Sequence, residues 1–216
     1  MLEERPVLLN ADGRTLLYHE VVDQAGADAP WLVFVHGAGG SIRTWKYQIE
    51  AFQPHYRLLL IDLRDHGFSK DILPDRAIYW LFSFIVLPRR NHRLSRWIFR
   101  RQSLRLTPGE YLKWVELYKP FFRLIKQYVE RTVDKTGLVV MGAQDHIFFG
   151  AAEKFASAQK NMRLAVIENC GHVCSIEAPD LFNDLVLKFL SGKDVPARVT
   201  ATPIPSTWAE LKAMKG

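Results

Sequence analysis

Two short segments carry residue types that move protons. Gly142-Ala-Gln-Asp145 and Asn169-Cys-Gly-His172 each follow a short apolar run, so a carboxylate and an imidazole stand just past the ends of two expected strands. A carboxylate that orients a histidine, and a histidine that takes up and returns a proton, form the acid–base half of acyl transfer. The other half is a nucleophile and N–H donors for an oxyanion. His36-Gly37-Ala38-Gly39-Gly40 suits the donor role after the apolar run Trp31–Val35. Its glycines turn the chain sharply and leave the amides of Gly37 and Ala38 free to face a carbonyl oxygen. Taken alone, the same segment reads equally well as a strand-to-helix turn with Ser41 capping the helix. The nucleophile is what is missing. A Gly-x-Ser-x-Gly turn is absent from all 216 residues, and Ser41, Ser83 and Cys174 lack the glycine-flanked turn that exposes such a group.

The elements that must position these residues alternate along the chain. Val7–Asn10 and Thr15–Val22, around a turn at Ala11–Gly13, suggest an antiparallel hairpin. Trp31–Val35 and Leu58–Ile61 are continuous apolar runs, the pattern of parallel strands covered on both faces. Between them Trp45, Ile49 and Phe52 recur at helical spacing. Residues 73–132 carry aromatic and basic residues at helical periods broken by Pro88, Pro108 and Pro120, which predicts an all-helical block. Leu138–Met141 and Leu164–Ile167 restore the strand pattern around a helix at Ala151–Ala158. Pro179 and Asp180 then open an amphipathic helix that runs to Leu190. From Ser191 onward, Pro196, Pro203 and Pro205 suggest a loose tail.

In this order the glycine loop, the segment Ile61-Asp-Leu-Arg-Asp-His-Gly-Phe-Ser69, Asp145 and His172 resemble the α/β-hydrolase family. Asp65 stands where the family has a glycine, and Arg64, His66 and Ser69 are expected to brace their loop. The resemblance covers residues 7–72 and 134–190. It implies an α/β fold, a mostly parallel twisted sheet flanked by helices with an all-helical cap. Residues 1–72 and 134–190 would be the two parts of the core, 73–133 the cap and 191–216 a tail. It implies Asp145 and His172 as catalytic residues, Gly37 and Ala38 as the oxyanion hole, and Trp80, Phe84 and Trp114 as pocket residues from the cap. The implied substrate is a small apolar ester, lactone or similar carbonyl compound, with no cofactor. The family has two further strand–helix units before its cap, about 30 residues each, the first of which bears the nucleophile. Here they are missing, so the sheet is expected to be truncated in its middle by about 14 Å. Direct closure would make Val33 and Val139 ladder partners. The chain then reads as a hydrolase without its catalytic unit, or as an inactive pseudo-hydrolase that serves as a binding or membrane-surface module.

Composition narrows the partners. With 48% hydrophobic residues the chain can bury one sizeable core. Part of its net charge of +6 gathers at Arg89, Arg93, Arg96 and Arg100, spaced as one helix face. Such a face is either solvated or a weak contact for an anionic membrane surface. No recognised nucleic-acid motif accompanies it, so no nucleic-acid partner is expected. Cys170 and Cys174 flank His172, but no second cluster completes four ligands, so no metal is expected and buried thiols of an intracellular protein fit better. The start of the chain is charged, and the longest apolar run, Ala77–Leu87, falls short of the ~20 residues that cross a bilayer. Both fit a cytoplasmic protein.

Overall fold

The computed structural model describes residues 7–9, 16–37, 40–63, 67, 96, 120 and 131–202. These belong to two units, each with its own sheet. In the first, β1 (Val7–Leu9) and β2 (Leu16–Val22) form the expected antiparallel hairpin. β3 (Trp31–Val35) and β4 (Arg57–Ile61) run parallel with Val33 in register with Leu59, and β2 lies antiparallel to β4, so the order is β1-β2-β4-β3. A 3-10 turn at Ile42–Trp45 and α1 (Lys46–Phe52) connect β3 to β4. They cover one face of the pair. Phe34 meets Phe52 edge-on at 5.9 Å and Trp45 at 5.3 Å. Leu58 and Leu60, in register with Leu32 and Phe34, are fully buried.

The other face corrects an expectation. Trp31, Val33 and Val35 are 47%, 56% and 52% exposed, so β3 is covered on one face and not on both. Val21 is also exposed and is in register with Leu59, which extends the open apolar row across the sheet. Arg57 partly screens it. Its guanidinium lies 4.2 Å from the Trp31 ring and donates to Asp23 at 2.7 Å.

In the second unit β5 (Gly137–Gly142), β6 (Met162–Glu168) and β7 (Arg198–Thr200) are parallel, in that order. Val139 is in register with Leu164, so β3 and β5 are each the edge strand of their own sheet. α2 (Phe149–Ala158) leads from β5 to β6, and α3 (Cys174–Glu177) and α4 (Pro179–Leu190) follow β6. Ala165, Ile167, Cys170, Cys174, Ala178 and Leu185 form the centre of this core. α4 starts with Pro179 and Asp180 and ends near Lys188, which suits the helix dipole at both ends.

The loose tail expected from Ser191 is corrected over the first part of its length. Val195 and Val199 pack on the core and Ala201 is buried. Val166 donates its N–H to the Ala197 carbonyl at 2.9 Å, and Ala201 donates to Glu168 at 3.1 Å. A three-residue strand is too short to show a period of two, so its sequence reads as loop.

Arg96 is corrected as well. It is buried, 8% exposed, and engaged in contacts inside the fold, so it is no part of a face turned toward lipid. Helical spacing groups residues on one side without saying whether that side meets water. Arg89, Arg93 and Arg100 lie outside the described residues, as do Trp80, Phe84, Trp114 and nearly all of the expected cap. Among the described residues no helix is long and apolar enough to cross a membrane.

Candidate active site

The chain turns as it leaves β5, with the Asp145 N–H donating to the Gly142 carbonyl at 3.0 Å. The Asp145 side chain is 1% exposed, and three donors converge on it. Its Oδ1 accepts the N–H groups of Ile147 and Phe148, both at 3.0 Å, and its Oδ2 lies 2.8 Å from His172 Nδ1. Burial alone would raise the Asp145 pKa. The hydrogen bond from His172, the Phe148 and Ile147 amides and the imidazole's charge outweigh it and hold the carboxyl below its usual value. An ionised carboxylate only accepts, so Nδ1 carries a proton, and in the neutral form of the ring Nε2 then holds the lone pair. No group among the described residues bonds Nε2, and the imidazole is 31% exposed. Phe148 stacks on the ring at 5.1 Å and 27°. His172 is thus oriented on one edge and open on the other.

Glycine permits this meeting of loops. A Cβ on Gly142 would sit 2.1 Å from the Gly171 carbonyl oxygen, so only a glycine lets the end of β5 touch the histidine loop. Ala143 donates to Ile167 and Gln144 to Cys170, each at 2.9 Å, which ties the two loops together. The histidine loop turns at Asn169, whose φ of 59° lies in the left-handed region that asparagine tolerates.

No protein-family model matches the chain. A 2-succinyl-6-hydroxy-2,4-cyclohexadiene-1-carboxylate synthase from Citrobacter koseri is 50% identical over 44 residues, a match that spans 20% of this chain and 17% of that protein. The enol-lactonase from Burkholderia xenovorans LB400 superposes with a TM-score of 0.65 at 16% identity, covering 86% of this chain and 100% of the lactonase. A thermophilic esterase from Thermogutta terrifontis gives 0.64 at 18% identity, covering 88% and 98%. The chain has the α/β-hydrolase fold.

In the first unit of this α/β-hydrolase fold, His36 follows β3 with its side chain fully buried. Its Nδ1 donates to the Gly37 carbonyl at 2.8 Å and its Nε2 accepts the Leu63 N–H at 3.1 Å. Burial lowers its pKa, against the Gly37 bond and the charge of Asp62, so the ring is a neutral brace. Asp62 accepts the Ile42 N–H at 2.7 Å, and Gly67 (φ 54°) leaves that carboxylate its space. The Gly37 carbonyl also accepts the Gly40 N–H at 3.0 Å. Ala38, Arg64, His66 and Ser69 lie outside the described residues.

Of the candidate substitutes for a nucleophile, Ser83 lies outside the described residues, and Ser41 and Cys174 gain no support. Ser41 is buried at the start of the 3-10 turn, where its N–H donates to Thr44 Oγ1 at 3.2 Å. Cys174 is buried, and burial together with the Glu177 charge pushes its thiol up to about 12. Cys170 is raised for the same reasons, so both stay protonated and unreactive at neutral pH. Among the described residues no group of three His, Cys, Asp or Glu gathers as metal ligands would. Phe148 and Glu177 are the site residues that sequence reasoning passed over, while Gly142 stood in the segment that leads to Asp145.

Proposed function

We propose that the chain carries the acid–base pair and oxyanion loop of an α/β-hydrolase for a small apolar ester, lactone or similar carbonyl compound. It lacks the nucleophile that would turn such a compound over at an enzyme's rate. The observation that carries this reading is the Asp145–His172 pair, with Nδ1 held at 2.8 Å and Nε2 open. In acyl transfer Asp145 stays ionised and fixes the tautomer, while Nε2 takes the nucleophile's proton and passes it to the leaving group. The Gly37 and Ala38 amides are the donors for the oxyanion, and Trp80, Phe84 and Trp114 supply apolar lining. Neighbours described as a lactonase and an esterase agree with this substrate class.

Two proteins test the reading on a nitrophenyl ester. One is the chain as it stands. The other receives the two strand–helix units, with their Gly-x-Ser-x-Gly turn, between Ser69 and Pro74. The first is expected to give background hydrolysis. The second is expected to hydrolyse the ester, to bind a serine-directed fluorophosphonate, and to lose about a thousandfold or more of its rate with His172→Ala. Turnover by the unextended chain that His172→Ala abolishes overturns the missing-nucleophile reading. A restored enzyme indifferent to His172→Ala overturns the role of the pair.

A further inference from the structure

We infer that Glu177 is the residue that positions His172. Glu177 closes α3, is 6% exposed, and aims its carboxylate back at the loop it follows. Its Oε2 accepts the Gly171 N–H at 2.8 Å and its Oε1 accepts the Val173 N–H at 3.2 Å. These are the peptide N–H groups on either side of His172, so one carboxylate grips both ends of the arc that bears the imidazole. The Val173 carbonyl in turn accepts the N–H groups of Ile176 and Glu177, each at 2.9 Å, the backbone bonds that open α3.

The arrangement answers a definite need. Gly171 is buried, and a buried N–H without an acceptor is costly, whereas bonds to a charged acceptor are the strong kind. Gly171 is held from two sides, its carbonyl against Gly142 and its N–H on Glu177. That fixes the direction from which Nδ1 reaches Asp145. The same charge is felt at Cys170 and Cys174, where it adds to burial in raising both thiols. Both bonds end on backbone N–H groups, so through them its action on the imidazole passes along the backbone.

The inference rests on the Asp145–His172 pair and not on turnover, so it can fail while the proposed function stands. The test follows the His172 Nδ1–H proton in nitrogen-15-labelled protein by NMR, in the full chain and in Glu177→Gln, Glu177→Ala and Leu185→Ala. Leu185 is fully buried in α4, so its truncation reports general destabilisation. Glu177→Ala is expected to speed solvent exchange of that proton about tenfold or more, or to erase its signal, by freeing two buried N–H groups. Glu177→Gln, with one acceptor oxygen, is expected to fall between it and the parent, and Leu185→Ala to keep the parental signal despite a lower Tm. Parental exchange in Glu177→Ala overturns the inference, as does parental exchange in Glu177→Gln should the alanine variant not fold. The same change in Leu185→Ala at a matched loss of Tm overturns it too.

Discussion

Asp145→Asn separates charge from shape at the site. The parent carboxylate receives His172 Nδ1 at 2.8 Å and two amide N–H groups at 3.0 Å, in a side chain only 1% exposed. A hydrogen bond to a charged group contributes roughly 1.5–3 kcal/mol, against about 0.5–1.5 kcal/mol for a neutral one. Asparagine's single oxygen can keep the two amide bonds at neutral strength, but its NH₂ then faces Nδ1. The imidazole must give up its Nδ1 proton and carry it on Nε2. Three charged bonds give way to three neutral ones, a loss of roughly 3–4.5 kcal/mol, on the order of 10 °C in Tm at this chain length. The pH dependence has a sign. Asp145's pKa is lowered in the fold, so its contribution is fully present above the unfolded carboxylate value of about 3.9 and is lost as the pH falls through the folded value. Asparagine has no proton to gain. Urea unfolding should therefore show a stability gap between parent and variant at about pH 5 and above that narrows below about 4. Imidazole nitrogen spectra should show the proton on Nδ1 in the parent and on Nε2 in the variant. No gap at pH 7, or a gap unchanged down to the lowest pH at which both fold, refutes the reasoning.

Gly142→Ala should cost about 1–3 kcal/mol in urea unfolding and weaken the His172 signal, because the new Cβ meets the Gly171 carbonyl at 2.1 Å. Equal stability would show that the two loops can move apart freely. Cys170 and Cys174 should resist a thiol reagent at pH 8 in the native protein and react together once urea unfolds it, since both are buried with raised pKa values. Rapid native labelling contradicts this. Val33→Lys, at an exposed apolar position on an edge strand, should reduce light scattering of concentrated protein while changing stability by less than about 0.5 kcal/mol. Undiminished scattering would clear β3 as the source.

The strands were legible because their signal is local. Leu58–Ile61 and Leu164–Ile167 are unbroken apolar runs, and the structure extends each only at its ends, to Arg57–Ile61 and Met162–Glu168. The acid–base pair was legible for a different reason: Asp145 and His172 stand just past such runs, and parallel neighbours bring their C-terminal ends together. What stayed hidden depends on what lies across from a residue. The apolar pattern of Trp31–Val35 speaks of two covered faces, yet Trp31, Val33 and Val35 are exposed. Arg96 reads as solvated until its burial is seen, and Arg198–Thr200 reads as loop until β6 is beside it. Glu177's side chain points back along its own chain, a direction that no periodicity encodes.

The placement of the pair explains how it can be built within one sheet. β5 and β6 are adjacent, parallel and in register over six residues, Gly137 with Met162 through Gly142 with Ile167. Asp145 leaves the first strand and His172 the second, so neither needs a strand from outside this sheet to hold it. The bonds that fix them are equally local: Ala143 to Ile167, Gln144 to Cys170, and Glu177 to Gly171 and Val173. α3 and α4 close the same core through Cys174, Ala178 and Leu185. A nucleophile elbow, by contrast, would need its own strand and the turn after it. On the proposed function, the lack of such an elbow leaves every one of these bonds in place. The Asp145–His172 geometry is complete within the second unit.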